Sequence, residues 1–170
     1  MKTHTTDREA DFSLVHVCNA PRSLVFKAFS NADALNEWWG PVETNNSVIS
    51  LDFRPGGIFH FSMEAGGHVS YGRFLFHQII PDELLEFTNA FADEKAQVVK
   101  PPFDLDFPLE IFYRIVFTEE KGKTTLTLTG YPVDATPEEA AGFRSIRGSM
   151  DQGFSATFGQ LSRFLEKQGI

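Results

Sequence analysis

Gly57-Ile58-Phe59-His60-Phe61-Ser62-Met63-Glu64-Ala65-Gly66-Gly67-His68-Val69-Ser70-Tyr71-Gly72-Arg73-Phe74 decides the fold. On either side of Gly66-Gly67, apolar and polar residues alternate with period two, as in strands that turn one face to a core. Two glycines between two such runs predict a tight hairpin. The register follows from the turn: Phe61 stands opposite Gly72 and Phe59 opposite Phe74. One face then carries Phe59, Phe61, Met63, Gly72 and Phe74. The other carries His60, Ser62, Glu64, Tyr71 and Arg73, which reads as a half-solvated face or as a set of acid–base groups.

Outward from this hairpin the same period predicts strands at 46–53, 57–65, 68–80, 84–91, 109–118 and 123–131. Gly56-Gly57, Pro81-Asp82 and Lys121-Gly122 mark further turns. A two-residue turn at Lys121-Gly122 sets Phe117 against Leu126, Ile115 against Leu128 and Tyr113 against Gly130. In both hairpins an aromatic residue faces a glycine, which leaves room over the sheet for a ring or a ligand. A valine-bearing segment at 11–18 is a seventh strand. Pro21 then opens a short helix, and Asn31 caps a second that runs to Trp38-Trp39 and ends at Gly40-Pro41. The proline-rich run Lys100–Pro108 lies in a loop at 92–108.

Thr136-Pro137-Glu138-Glu139 combines a cap, a first-turn proline and two acids at the positive end of the dipole, so a long helix runs from there to about Lys167. Phe143, Ile146, Met150, Phe154, Leu161 and Leu165 form its apolar stripe. Gly142, Gly148, Gly153 and Gly159 interrupt it, for close packing, for a kink, or to leave a void beneath the helix. One strand, two short helices, six strands and one long helix make an α+β domain with its helices on one face of an antiparallel sheet. Residues 1–10 read as a flexible N-terminus and 11–168 as one domain.

The chain has 170 residues, 42% hydrophobic and 22% charged, within the usual range for a globular domain. Eighteen phenylalanines point to a large aromatic core, an aromatic-lined cavity, or both. A net charge of -8 lacks the footprint of a nucleic-acid binder. No apolar run approaches the ~20 residues of a membrane span, the first residues lack a secretory h-region, and the lone Cys18 suits a reducing cytoplasm. The five histidines show no metal-ligand spacing, and no nucleophile elbow, phosphate loop or dinucleotide fingerprint occurs, so neither metal nor cofactor is expected. Tyr113, Asp151 and His77 are the titratable groups best placed to reach a cavity.

Several segments together resemble a known family. They are Ala20-Pro21-Arg22-Ser23-Leu24-Val25-Phe26 with Trp38-Trp39-Gly40-Pro41, Asp52-Phe53-Arg54-Pro55-Gly56-Gly57, Pro81-x-Glu83-x-Leu85-x-Phe87-Thr88-Asn89-Ala90-Phe91, Thr125–Leu128 and Met150-x-x-Gly153-Phe154. The pattern is similar to bacterial proteins like the C-terminal domain of the activator of the heat-shock-protein-90 ATPase, within the START-like SRPBCC superfamily. The resemblance spans about residues 11–166. It implies a helix-grip fold: a seven-stranded curved antiparallel sheet around the long C-terminal helix, with a cavity between.

On that fold Trp38, Trp39, Phe59, Phe61, Met63, Phe74, Phe87, Tyr113, Ile115, Met150 and Phe154 are the expected ligand-binding residues. The leading reading is a binder of a hydrophobic or aromatic, lipid- or polyketide-like molecule. The alternatives are a cyclase or hydratase, which needs a titratable group in the cavity, and a chaperone-associated interaction module, which needs an exposed apolar patch. A homodimer suits all three.

Overall fold

The computed structural model describes residues 10–168, so the flexible N-terminus expected for residues 1–10 lies, Ala10 apart, outside the described residues. Seven strands form one antiparallel sheet: β1 (Phe12–Cys18), β2 (Asn45–Leu51), β3 (Ile58–Ala65), β4 (His68–Ile80), β5 (Leu84–Ala92), β6 (Ile111–Glu120) and β7 (Lys123–Pro132). Their order across the sheet is β1-β7-β6-β5-β4-β3-β2. Helices α1 (Arg22–Phe29) and α2 (Ala32–Trp38) follow β1, and α3 (Pro137–Ser145) and α4 (Arg147–Lys167) follow β7. This is the helix-grip arrangement, a curved sheet holding a long C-terminal helix against its inner face.

Both hairpin registers hold. Phe61 pairs with Gly72 and Phe59 with Phe74, while Tyr113 pairs with Gly130, Ile115 with Leu128 and Phe117 with Leu126. The turns carry positive φ at both central residues, 59° and 80° at Gly66-Gly67 and 55° and 78° at Lys121-Gly122, as a right-twisted two-residue hairpin requires. Asn31 accepts the Ala34 amide at 3.0 Å and so caps α2. Thr136 and Glu139 form the reciprocal capping box that starts α3.

Three expectations need correction. The C-terminal helix is not continuous from Thr136, because it breaks at Ile146 (φ -111°, ψ 16°). Just before the break, the Ser145 hydroxyl donates to the Gly142 carbonyl at 2.7 Å, a local bond that competes with the helical ladder. β6 spans Ile111–Glu120 rather than 109–118, and Leu109 belongs to the loop that borders the cavity described below. On the His60–Arg73 face, Ser62, Glu64, Tyr71 and Arg73 keep the expected half-exposed character, and His60 departs from it by being buried. The loop after β5 folds over it: His60 Nε2 lies 3.0 Å from the Asp93 carbonyl, and Arg73 donates to the Ala96 carbonyl at 3.0 Å. His60 is only 3% exposed. Those residue types brace a loop.

On the inner face, α1 and α2 cover one end of the sheet. Phe26 and Phe29 meet Phe117 edge to face at 5.2 and 5.4 Å, and Trp38 meets Phe29 at 4.8 Å. α4 covers the middle, with Phe154 against Tyr113 at 5.3 Å and against Phe12 at 5.8 Å. No helix among the described residues is long and apolar enough to cross a membrane.

Candidate functional site

The space the helices leave is a cavity of about 320 Å³ between α4 and the inner face of β3, β4 and β5. The alternation of β3 and β4 turns Phe61, Met63 and Gly72 into it, and that of β5 turns Asn89 and Phe91 into it. α4 contributes Met150, Gly153, Phe154 and Thr157, one face of a helix at three- and four-residue spacing. Trp39, Gly40 and Pro41 close the side beyond α2. Phe107, Pro108 and Leu109, from the loop before β6, close the other, together with Ile111. Leu109 is 47% exposed and Gly153 is exposed too, so these two stand at the mouth.

Of the residues expected to bind a ligand, Trp39, Phe61, Met63, Met150 and Phe154 border this space. Trp38, Phe59, Phe74, Phe87, Tyr113 and Ile115 do not. The five strand residues share the inner face and Trp38 ends α2, but all six are buried away from the cavity: Phe74 stacks on Phe87 at 4.0 Å, and the Trp38 indole donates to the Ala28 carbonyl at 3.0 Å. The facing glycines are likewise filled. A Cβ on Gly72 would sit 2.6 Å from the Phe61 ring, and one on Gly130 would sit 2.6 Å from the Tyr113 ring. The room over these glycines therefore houses protein rings. Sequence reasoning missed Asn89 and Phe91, although they continue the alternation that places Phe87 inward. It also missed the 107–109 segment, where no periodicity exists to read.

The titratable candidates all stand elsewhere. Tyr113 is buried in the core, and that burial pushes its phenol far above the usual tyrosine range, so it stays protonated. His77 lies on the outer side of the sheet, 3.2 Å from the Thr88 hydroxyl and beside the Phe112 ring. Asp151 is exposed on α4, in a shallow groove beside Phe12 and Ser13. Among the described residues that border the cavity, none is acidic, basic, histidine, cysteine or tyrosine. No three His, Cys, Asp or Glu side chains among the described residues converge on a point.

The wall at Gly40-Pro41 is clasped from two sides. Thr157 and Gln160 of α4 donate to the Gly40 carbonyl at 3.0 and 3.1 Å, and Asn46 of β2 donates to the Pro41 carbonyl at 2.9 Å. Gly40 itself has φ +110°, and the Asn46 amide occupies the place a Cβ would take. Next to it, the Trp39 indole nitrogen is buried without a hydrogen-bond partner among the described residues, amid Phe61 and Phe74 rings set edge to face at 5.6 and 5.0 Å.

A family model described as "Activator of Hsp90 ATPase homolog 1-like protein" matches residues 19–166, from before α1 to near the end of α4. The chain belongs to this family. No curated protein matches it. Among solved structures, the family fold recurs in a Staphylococcus epidermidis protein, 23% identical over 96% of this chain and 94% of that one, with a TM-score of 0.75. An Arthrobacter aurescens protein is 20% identical over 97% and 93%, again at 0.75. Protein Ms6760 of Mycobacterium smegmatis is 23% identical over 90% and 88%, at 0.70. At these identities the likeness is one of fold.

Proposed function

We propose that this member of the Activator of Hsp90 ATPase homologue 1-like family binds a small hydrophobic or aromatic molecule between α4 and the sheet. The observation that carries the reading is the cavity wall. It offers Trp39, Phe61, Met63, Phe91, Phe107 and Phe154 to a ligand and not one ionisable group. Burial of apolar ligand surface, at roughly 25 cal/mol per Å², is then the main source of affinity. Two flexible methionines, Met63 and Met150, let the wall adapt to different outlines. The family membership and fold support the same reading. A cyclase or hydratase is less well supported, because Tyr113, Asp151 and His77 all lie away from the cavity.

The test is extraction of freshly purified protein under denaturing conditions, with mass spectrometry of the extract. An apolar compound at near one equivalent is the expected result. An empty protein that also takes up no solvatochromic hydrophobic dye would overturn the proposal.

A further inference from the structure

The ligand's polar character can be read from the two polar side chains on the cavity wall. Asn89 faces inward on β5, paired with Phe74 on one side and Ile111 on the other. Its Nδ2 donates to the Arg73 carbonyl at 3.1 Å. A carbonyl only accepts, so this bond settles which end of the amide is nitrogen and turns Oδ1 the other way. Among the described residues no donor reaches Oδ1, which is not fully buried, and Asn89 borders the cavity. Thr157 is the second polar group. Its hydroxyl hydrogen is committed to the Gly40 carbonyl, so it too has only lone pairs to offer. The Gly40 carbonyl already serves two donors. Of the nearby side-chain donors, the Trp39 indole N–H has no accessible surface, Gln160 Nε2 serves the Trp38 and Gly40 carbonyls, and Asn89 Nδ2 keeps one hydrogen besides the one on the Arg73 carbonyl.

We propose that the cavity selects an uncharged ligand bearing a hydrogen-bond donor, a phenolic or alcoholic hydroxyl, which Asn89 Oδ1 accepts. This inference rests on the ligand-binding reading above. A carboxylate is disfavoured on the same grounds. It would leave water for a wall that presents no cation, and an unpaired buried charge costs far more than a hydroxyl. A ligand with only acceptors, such as an ether or a quinone, covers Asn89 Oδ1 and leaves it unpaired.

Three probes with one ring system test this at neutral pH: naphthol, its methyl ether and naphthoate, with binding followed by calorimetry. Naphthol is expected to bind about fivefold tighter than the ether, the worth of one neutral hydrogen bond. That order inverts their hydrophobicity, so burial of area does not produce it. Naphthoate is expected to bind at least tenfold more weakly than naphthol. In Asn89→Leu the preference should vanish, the ether binding at least as tightly as naphthol. If the ether binds wild-type protein as tightly as naphthol, or Asn89→Leu keeps the preference, the role of Asn89 is overturned while the cavity reading stands. If no probe binds, the cavity reading fails and this inference with it. Should Asn89→Leu not fold, the probe series on the unaltered protein decides alone.

Discussion

Phe61 lies flat over Gly72, close enough that an added Cβ would meet its ring at 2.6 and 2.7 Å, and Tyr113 lies over Gly130 in the same way. Each glycine is thus the floor on which an aromatic ring rests, and at Gly72 the missing side chain sets how far Phe61 stands from the cavity. Gly72→Ala should push Phe61 into the space between sheet and α4, with a loss of about 1–3 kcal/mol. A lower midpoint in urea unfolding is the expected readout. Tyr113 carries a pH prediction. Burial raises its folded-state pKa above the ordinary value near 10. The folded state therefore holds the phenol proton where the unfolded chain has released it. Its stabilising effect is complete below about pH 10 and is lost as pH climbs past that value. Tyr113→Phe should shift the alkaline unfolding midpoint upward, and circular dichroism across an alkaline titration would show it.

Among the elements, α4 both covers the core and roofs the cavity, and the glycines of α3 and α4 serve different ends. Gly142, in α3, presses on the Asp106 carbonyl and so ties the helix to the loop that borders the mouth. Gly153 meets nothing within 4 Å, because a side chain there would project into open space at the mouth. The two effects of Gly153→Leu therefore have opposite signs. Replacing a mid-helix glycine should stabilise α4 by up to about 1 kcal/mol, whereas the new side chain should obstruct ligand entry. A variant with a raised unfolding midpoint and weakened naphthol binding is the expected outcome. Weakened stability, or unchanged binding, would count against this placement of the mouth. The 107–109 segment owes its position to a relay of rings, Phe91 to Phe103 at 5.9 Å, Phe103 to Phe107 at 5.2 Å and Phe107 to Phe143 at 6.0 Å, which joins β5 to α3.

At the scale of the whole molecule, a ligand that binds only the folded state stabilises it by mass action. Naphthol at a hundred times its dissociation constant should add about 2.7 kcal/mol, visible as a rise in thermal midpoint that Gly153→Leu largely abolishes. The architecture behind this was legible in the chain. Period-two alternation, turns at Gly66-Gly67 and Lys121-Gly122 and the Thr136 capping box determined strand count, registers and helix start, because each depends on neighbours in sequence. Much of the cavity was not legible. Phe59, Phe61, Phe74 and Phe87 share the inner face, yet only Phe61 of these borders the space. Face is set by alternation, but depth along the face is set by where α1, α2 and α4 come to rest. The loop folded over His60 and the rim at Phe107–Leu109 likewise depend on contacts between residues far apart in the chain. Local sequence therefore decided which way side chains point, and tertiary packing alone decided which of them a ligand would meet.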